Sequence, residues 1–157
     1  MIRLARLATG DSARLLHLEL GRGQADFVHP IADMVAERKA GVNFHVISRG
    51  DETVGFFKID FGQAEPESFV QQNEASLRGF LVGAQFQGQG VARAAMAQFA
   101  DHMRLQYPHA RSVVLCVHVR NPAARHTYLG GGFIDTGENY PGGRGGPQNI
   151  LRLQLGG

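Results

Sequence analysis

The sequence predicts one mixed α/β (α+β) domain, and three features carry that expectation. β-rich runs and amphipathic helical runs alternate along the 157 residues. A stripe with helical spacing, Val91, Ala95, Phe99 and Met103, follows an apolar strand after only a short glycine-spaced turn. Ser112 to Val119 is apolar on both faces, as expected of a strand covered on both sides. With 43% hydrophobic residues the chain can bury a sizeable core. No linker or internal repeat suggests a second unit, so a single domain over residues 1–157 is expected.

Ile2 to Leu7 reads as a short strand. Thr9 or Asp11 then caps a helix that carries Ala13, Leu15, Leu16 and Leu18 and ends at Gly21-Arg22-Gly23. A second helix is expected from Ile31 to Lys39, closed by Gly41, with Gln24, Phe27 and Pro30 forming a rim in the loop between the two. Phe44 to Ser48 and Thr53 to Phe61 form a hairpin about Arg49-Gly50-Asp51-Glu52; the tripeptide Arg49-Gly50-Asp51 is turn chemistry rather than an adhesion signal. Residues 62–74 are polar and irregular and lead into a strand from Ala75 to Val82.

In the next helix the stripe is widened by Ala92, Met96 and Ala100, and Tyr107-Pro108 stops it. After strand 112–119 come a short helix at 122–129 and a final strand pair, Phe133 to Asp135 and Ile150 to Leu155, joined through the glycine-rich loop 141–147.

Composition narrows the function. No apolar run approaches the roughly 20 residues that span a bilayer, and Met1 to Arg6 lacks the continuous apolar core of a signal peptide, so a cytoplasmic protein without membrane contact is expected. One cysteine, Cys116, excludes an internal disulfide, and no histidine or cysteine spacing matches a metal site. The net charge of +2 is small and its basic residues are scattered, which argues against a nucleic-acid partner despite a pI near 9.0.

The segment Leu81-Val82-Gly83-Ala84-Gln85-Phe86-Gln87-Gly88-Gln89-Gly90-Val91-Ala92 reads as a phosphate cradle: glycines remove obstructing side chains, and the first helical N–H groups add partial positive charge. It is neither a dinucleotide fingerprint, since Arg93 stands where the third glycine belongs, nor a P-loop, since no Gly-Lys-Ser/Thr ends it. Gln87, Gly90 and Ala92 fit the pattern [QR]-x-x-G-x-[GA], and on that match the segment resembles motif A of the GNAT superfamily of acyl-CoA-dependent N-acyltransferases. Residues 121–133 match that superfamily's motif B pattern N-x-x-A-x-x-x-Y-x-x-x-G-F at the expected distance. Independently of the resemblance, Asn121 is a good N-cap, Pro122 suits the first helical position, and Asn121, Ala124 and Tyr128 share one helix face. The glycines 130–132 end that helix and are expected to loosen it just past Tyr128.

The resemblance covers residues 44–134 well and the two ends by order of elements. It implies a twisted, mixed, mostly antiparallel sheet of six to seven strands flanked by about four helices, with acetyl-CoA as co-substrate and no metal. The strands ending near Val82 and Asn121 would splay around the pantetheine arm. Cofactor contacts would come from Phe80, Leu81, Val82, Gln87, Gly88, Gln89, Gly90, Val91, Ala92, Asn121, Ala124 and Tyr128. Tyr128 would be the general acid, as its counterpart is in the family, since a phenol of pKa about 10 can protonate a thiolate of about 8.5 and stay neutral near pH 7. A backbone N–H near Leu81 or Val82 would meet the oxyanion. Glu74, His118 and Asp60 are candidate bases, with a water chain as the alternative. Cys116, mid-strand among apolar residues, reads as a buried small hydrophobe, so direct transfer is expected.

The arrangement around Gln24 to Val28 and Phe80 to Gly90 looks most like the small-amine branch that includes spermidine and spermine acetyltransferases. Gln24, Phe27, Asp60 and Arg78 are the candidate substrate residues, and Arg78 in Leu77-Arg78-Gly79-Phe80 would repel a polycation and favour an amine bearing a carboxylate or phosphate. The expected activity is acetylation of a small primary amine. Acetylation of a protein N-terminus or lysine, and a non-catalytic acetyl-CoA-binding module, are the alternatives. An edge strand and the 141–147 loop point to a homodimer.

Overall fold

The computed structural model describes residues 1–8, 10–21, 30–36, 40–61, 69–141 and 146–156. Expectations placed on Thr9, the residues 22–28 that include Gln24 and Phe27, residues 62–68 and loop residues 142–145 lie outside these, and the helix expected from Ile31 to Lys39 stops at Val35, with Ala36 as its C-cap. The strands are β1 (Ile2–Arg6), β2 (Val42–Arg49), β3 (Glu52–Asp60), β4 (Glu74–Val82), β5 (Ser112–His118), β6 (Ile134–Tyr140) and β7 (Gln148–Gln154), and the α-helices are α1 (Ile31–Val35), α2 (Val91–Gln106) and α3 (Pro122–Gly130). The strands form one seven-stranded sheet in the order β1-β2-β3-β4-β5-β7-β6. All neighbours run antiparallel except β4 and β5, which are parallel.

That single parallel junction shapes the molecule. β4 and β5 pair only at Glu74↔Ser112, Ala75↔Val113 and Ser76↔Val114. Beyond this point β4 stays on β3 as far as Val82↔Gly55, while β5 stays on β7 as far as His118↔Gln148, so the sheet opens like a V between them. Its closed end is pinned by the Glu74 carboxylate, whose side chain is fully buried. Arg152 Nε on β7 donates to its Oε2 at 2.6 Å, Ser112 Oγ on β5 donates to the same oxygen at 2.6 Å, and the Gln71 backbone N–H donates to Oε1 at 2.9 Å. Burial alone raises the pKa of this carboxyl; the hydrogen bonds from Arg152, Ser112 and Gln71 outweigh it and hold the group below its ordinary range.

Farther along β4, Gly79 and Phe80 together oppose Phe57, which makes a β-bulge with Gly79 at φ 61°. The extra residue sends neighbouring side chains to opposite faces. Arg78 lies with Lys58 and Asp60 on the face that meets Met34 of α1, where a Cβ on Gly79 would come within 2.9 Å of Met34 Cε. Phe80 turns to the α2 face, 5.9 Å from Phe57, and Phe57 in turn packs on Phe99 of α2 at 5.5 Å. The core is continuous through this layer, with Phe57, Phe99, Leu81, Met96, Met103 and Leu151 almost fully buried.

Helix α2 buries Val91, Ala95, Met96, Phe99 and Met103, the stripe expected from the sequence, and adds His102. The expected first helix differs. Residues Ser12–Leu15 form one 3-10 turn, and the N–H groups of Arg14, Leu16 and Leu18 each bond the carbonyl three residues back. Only Leu15 and Leu18 of the apolar set are buried there, while Leu16 is 56% exposed. The useful spacing is thus three, which suits a 3-10 turn and gives an α-helix too narrow a stripe to pack. The last hairpin is longer than expected on its first strand, since β6 runs on to Tyr140.

His45, with no exposed surface, joins β2 to α2: its Nδ1 lies 2.8 Å from His102 Nε2 and its Nε2 lies 2.7 Å from the Tyr107 hydroxyl. Every group is satisfied when Tyr107 donates to a neutral His45 and His45 donates on to a neutral His102. Burial, reinforced by the proximity of His102 and Arg6, lowers the His45 pKa to about 3, and burial lowers that of His102. An unfolded chain takes up a proton near pH 6.5 that folded His45 refuses until about pH 3, so stability falls as pH drops through that window.

Urea unfolding at successive pH values should therefore lose about 1.4 kcal/mol per pH unit below 6.5 on account of His45 alone, with a shallower slope in His45→Gln. Replacing Glu74 by Gln leaves Arg152 buried without its counter-charge, and it should cost about 3 kcal/mol at pH 7, read as a lower urea midpoint at unchanged m.

Candidate active site

Two walls flank the open end of the V. The first begins where β4 ends. Gly83 N–H donates to Val54 O on β3 at 2.9 Å, and backbone groups alternate direction along a strand, so the N–H and C=O of Val82 face the gap toward β5. Gln87 Nε2 donates to Val82 O at 3.0 Å, which ties the glycine turn to the strand end and leaves the adjacent Val82 N–H aimed into the opening. Of the two backbone N–H groups singled out from sequence, those of Leu81 and Val82, the one that faces the gap is that of Val82.

The turn then passes through Gly88 and Gly90, at φ 75° and 80°, a region L side chains seldom occupy. A Cβ on either would meet nothing, so backbone conformation rather than space requires glycine here. Ala94 is the first residue of α2 whose N–H reaches an intrahelical acceptor, Gly90 O at 3.0 Å. The preceding N–H groups of Val91, Ala92 and Arg93 point out of the helix start beside the exposed Gly88-Gln89-Gly90. This donor set fits a pyrophosphate.

The second wall is α3. Asn121 caps it, accepting from the Ala124 N–H at 3.3 Å, and Pro122 takes the first helical position. The far end is a Schellman motif: Phe133 N–H donates to Tyr128 O at 3.2 Å, Gly132 N–H donates to Leu129 O at 3.1 Å, and Gly132 has φ 102°. The apolar contact that completes such motifs is Phe133 against Tyr128, ring centroids 6.0 Å apart. Gly131 lets the helix end approach α2, since a Cβ there would lie 3.1 Å from Met96 Cβ. The glycine run was expected to loosen the helix past Tyr128; these contacts fasten it instead.

Tyr128 reaches from the β5 side to β4, where its ring meets Phe80 edge-on at 5.9 Å. Phe80, Phe57, Phe99, Phe133 and Tyr128 close a ring of aromatic contacts, each step between 5.5 and 6.0 Å. Burial pushes the pKa of the Tyr128 hydroxyl above the usual phenol value, so it stays protonated at neutral pH. The bulge at Gly79 makes this arrangement, because without the extra residue Phe80 would share the face of Arg78. A lone glycine inside a strand pattern is the signal for such a bulge.

Two of the three candidate bases are engaged with arginines. Glu74 lies at the closed end of the V, six residues and about 20 Å along β4 from Phe80, with its carboxylate committed to Arg152, Ser112 and Gln71. Glu74, a candidate base on sequence grounds, is thus an internal pin. Asp60 is 2% exposed and takes Arg78 Nη1 at 2.8 Å. His118 is buried at the end of β5, and its carbonyl accepts the Asn121 N–H at 2.9 Å. Cys116 is only half-buried, less than expected for a core position.

A family model described as acetyltransferase (GNAT) family matches residues 13–133. Among solved structures the chain resembles the ribosomal-protein-S18-alanine N-acetyltransferase from Escherichia coli, at 21% identity and TM-score 0.70, covering 100% of this chain and 96% of that one. It also resembles a chimeric spermidine N-acetyltransferase SpeG from Vibrio cholerae and hSSAT, at 18% identity and TM-score 0.69, covering 98% and 95%. A third likeness is to the aminoglycoside acetyltransferase AAC(6')-Ib in complex with coenzyme A, at 13% identity and TM-score 0.78, covering 98% and 95%. Identities this low speak for the fold. No curated protein is similar enough in sequence to count as a match.

Placing a Cβ at Gly132 forces an L residue into left-handed backbone beside Leu153. Gly132→Ala should cost about 1–2 kcal/mol, which calorimetry would record as a melting midpoint lower by about 3–6 °C.

Proposed function

The chain belongs to the GNAT acetyltransferase family, and from that premise we propose that it moves an acetyl group from acetyl-CoA to a primary amine of a small molecule by direct attack. The observation that carries this reading is the V between β4 and β5, with the glycine turn and the helix start on one arm and Tyr128 reaching across from the other. The pyrophosphate takes the N–H groups at the start of α2, and the pantetheine arm lies along the unpaired edges of β4 and β5, beside Ala124 and Tyr128.

The neutral amine attacks the thioester carbonyl, and the Val82 N–H meets the oxygen that gains charge. Collapse breaks the carbon–sulfur bond, and the Tyr128 hydroxyl gives its proton to the departing thiolate. Burial penalises phenolate and thiolate alike, so the higher pKa of Tyr128 does not by itself oppose the transfer. The amine's own proton leaves through water, because Glu74 and Asp60 already neutralise arginines; that proton replenishes Tyr128 by the same route.

The acceptor is read from the β4 wall. Asp60 is 2% exposed and Arg78 33%, so the member of this pair that solvent meets is the cation. Such a wall favours an amine that also bears a carboxylate or phosphate over a polyamine. Free coenzyme A thiol should be released with one or more members of a panel of amino acids, amino sugars, phosphorylated amines, polyamines and peptides. Thiol release confined to peptides would replace the small-molecule reading, and acetyl-CoA binding with no release would make the protein a binding module. Tyr128→Phe should lower turnover on the best amine about 100-fold or more while acetyl-CoA binding stays within about threefold; unchanged turnover would remove Tyr128 from the acid role.

A further inference from the structure

The hairpin between β2 and β3 contributes a cation to the glycine turn that the turn's own sequence lacks. Arg49, the last residue of β2, donates from Nη1 to Gln89 Oε1 at 2.6 Å, and its guanidinium lies 5.5 Å from the centroid of the Phe86 ring. Gln89 Nε2 donates to Gln85 O at 3.2 Å, so one amide side chain closes the turn and holds the arginine against it. Glu52 is near, but at 3.6 Å, with the two side chains 38% and 55% exposed, that pair is loose and water-screened. The hairpin turn itself is tight, with Gly50 at φ 61°, and it fixes where Arg49 leaves the sheet.

We propose that Arg49 is a coenzyme-binding residue: a fixed positive charge at the rim of the turn that engages the phosphoryl groups of acetyl-CoA from outside the motif. The proposal rests on the reading of the glycine turn as the phosphate cradle. Backbone N–H groups supply only partial charges, whereas coenzyme A carries a pyrophosphate and a 3′-phosphate, and a guanidinium matches phosphate oxygens in a charge-assisted, forked hydrogen bond. Gln89 places the cation before the ligand arrives, which reduces the ordering cost of binding. Arg49 is therefore not a spare residue of an adhesion-like tripeptide but the charged arm of the anion site.

Titration calorimetry with coenzyme A and with 3′-dephospho-coenzyme A tests this on the wild type and on Arg49→Gln, Arg49→Lys and Arg111→Gln, the last removing an equal charge next to β5 at the closed end of the V. Arg49→Gln should bind coenzyme A about tenfold more weakly, Arg49→Lys should recover part of the loss, and Arg111→Gln should match the wild type. In steady state the KM for acetyl-CoA should rise in Arg49→Gln with kcat and the KM for the amine unchanged, a split that a folding defect would not give. Equal weakening with the dephospho compound places the contact at the pyrophosphate, and weakening lost with that compound places it at the 3′-phosphate; both support the proposal. Wild-type affinity in Arg49→Gln, or equal losses in Arg49→Gln and Arg111→Gln, would overturn it while leaving the cradle intact. Failure of the wild type to bind coenzyme A at all would overturn the cradle reading and this proposal together.

Discussion

One buried carboxylate sets the geometry on which the rest depends. Glu74 binds β4 to Ser112 of β5 and to Arg152 of β7 at the point from which the two parallel strands diverge. A parallel pair that stops after three residue pairs would be a weak seam in a sheet. A buried ion pair with additional hydrogen bonds fixes the register of that seam without lengthening it. Everything beyond Ser76 is then free to open, and the diverging strands become the walls of a cleft. Stability and function divide along β4: its first residues close the sheet, and its last ones face the gap.

The second constraint is the placement of Tyr128. The proposed proton donor would gain from a fixed orientation, which carries much of the benefit of intramolecular catalysis. Here the ring is held from three sides: by the Schellman motif that joins Tyr128 to Phe133, by Phe80 delivered through the bulge at Gly79, and by the close approach of α3 to α2 at Gly131. The Gly-Phe pair at the end of the second motif thus has a local meaning. Gly132 supplies the left-handed residue of the cap, and Phe133 supplies the apolar contact with the tyrosine one turn earlier.

Much of this was legible in the chain and some was not, for physical reasons. Helix α2, its apolar stripe and its stop at Tyr107 follow from periodicity and from Pro108; the cap at Asn121 follows from residue chemistry. The left-handed backbone at Gly88 and Gly90 was legible because glycine spacing reports backbone conformation directly. The role of Glu74 was not, because Arg152 lies 78 residues away and only the sheet order brings the two together. The N-terminal 3-10 turn carries the sequence pattern of an α-helix because Leu16 adds an apolar residue that the fold leaves in solvent. Arg49 was hidden by its neighbours: a turn tripeptide explains itself locally, while its contact with Gln89 spans 40 residues.

The central claim is that the opening between β4 and β5, floored by the Val82 N–H and the start of α2, is the coenzyme site. Amide hydrogen exchange measured with and without coenzyme A tests it most directly. Slowed exchange concentrated at Val82 and at residues 88–92, with the closed end around Glu74 and Ser112 unchanged, is the predicted result. Binding that leaves those amides unprotected, or that protects a different edge of the sheet, would contradict it.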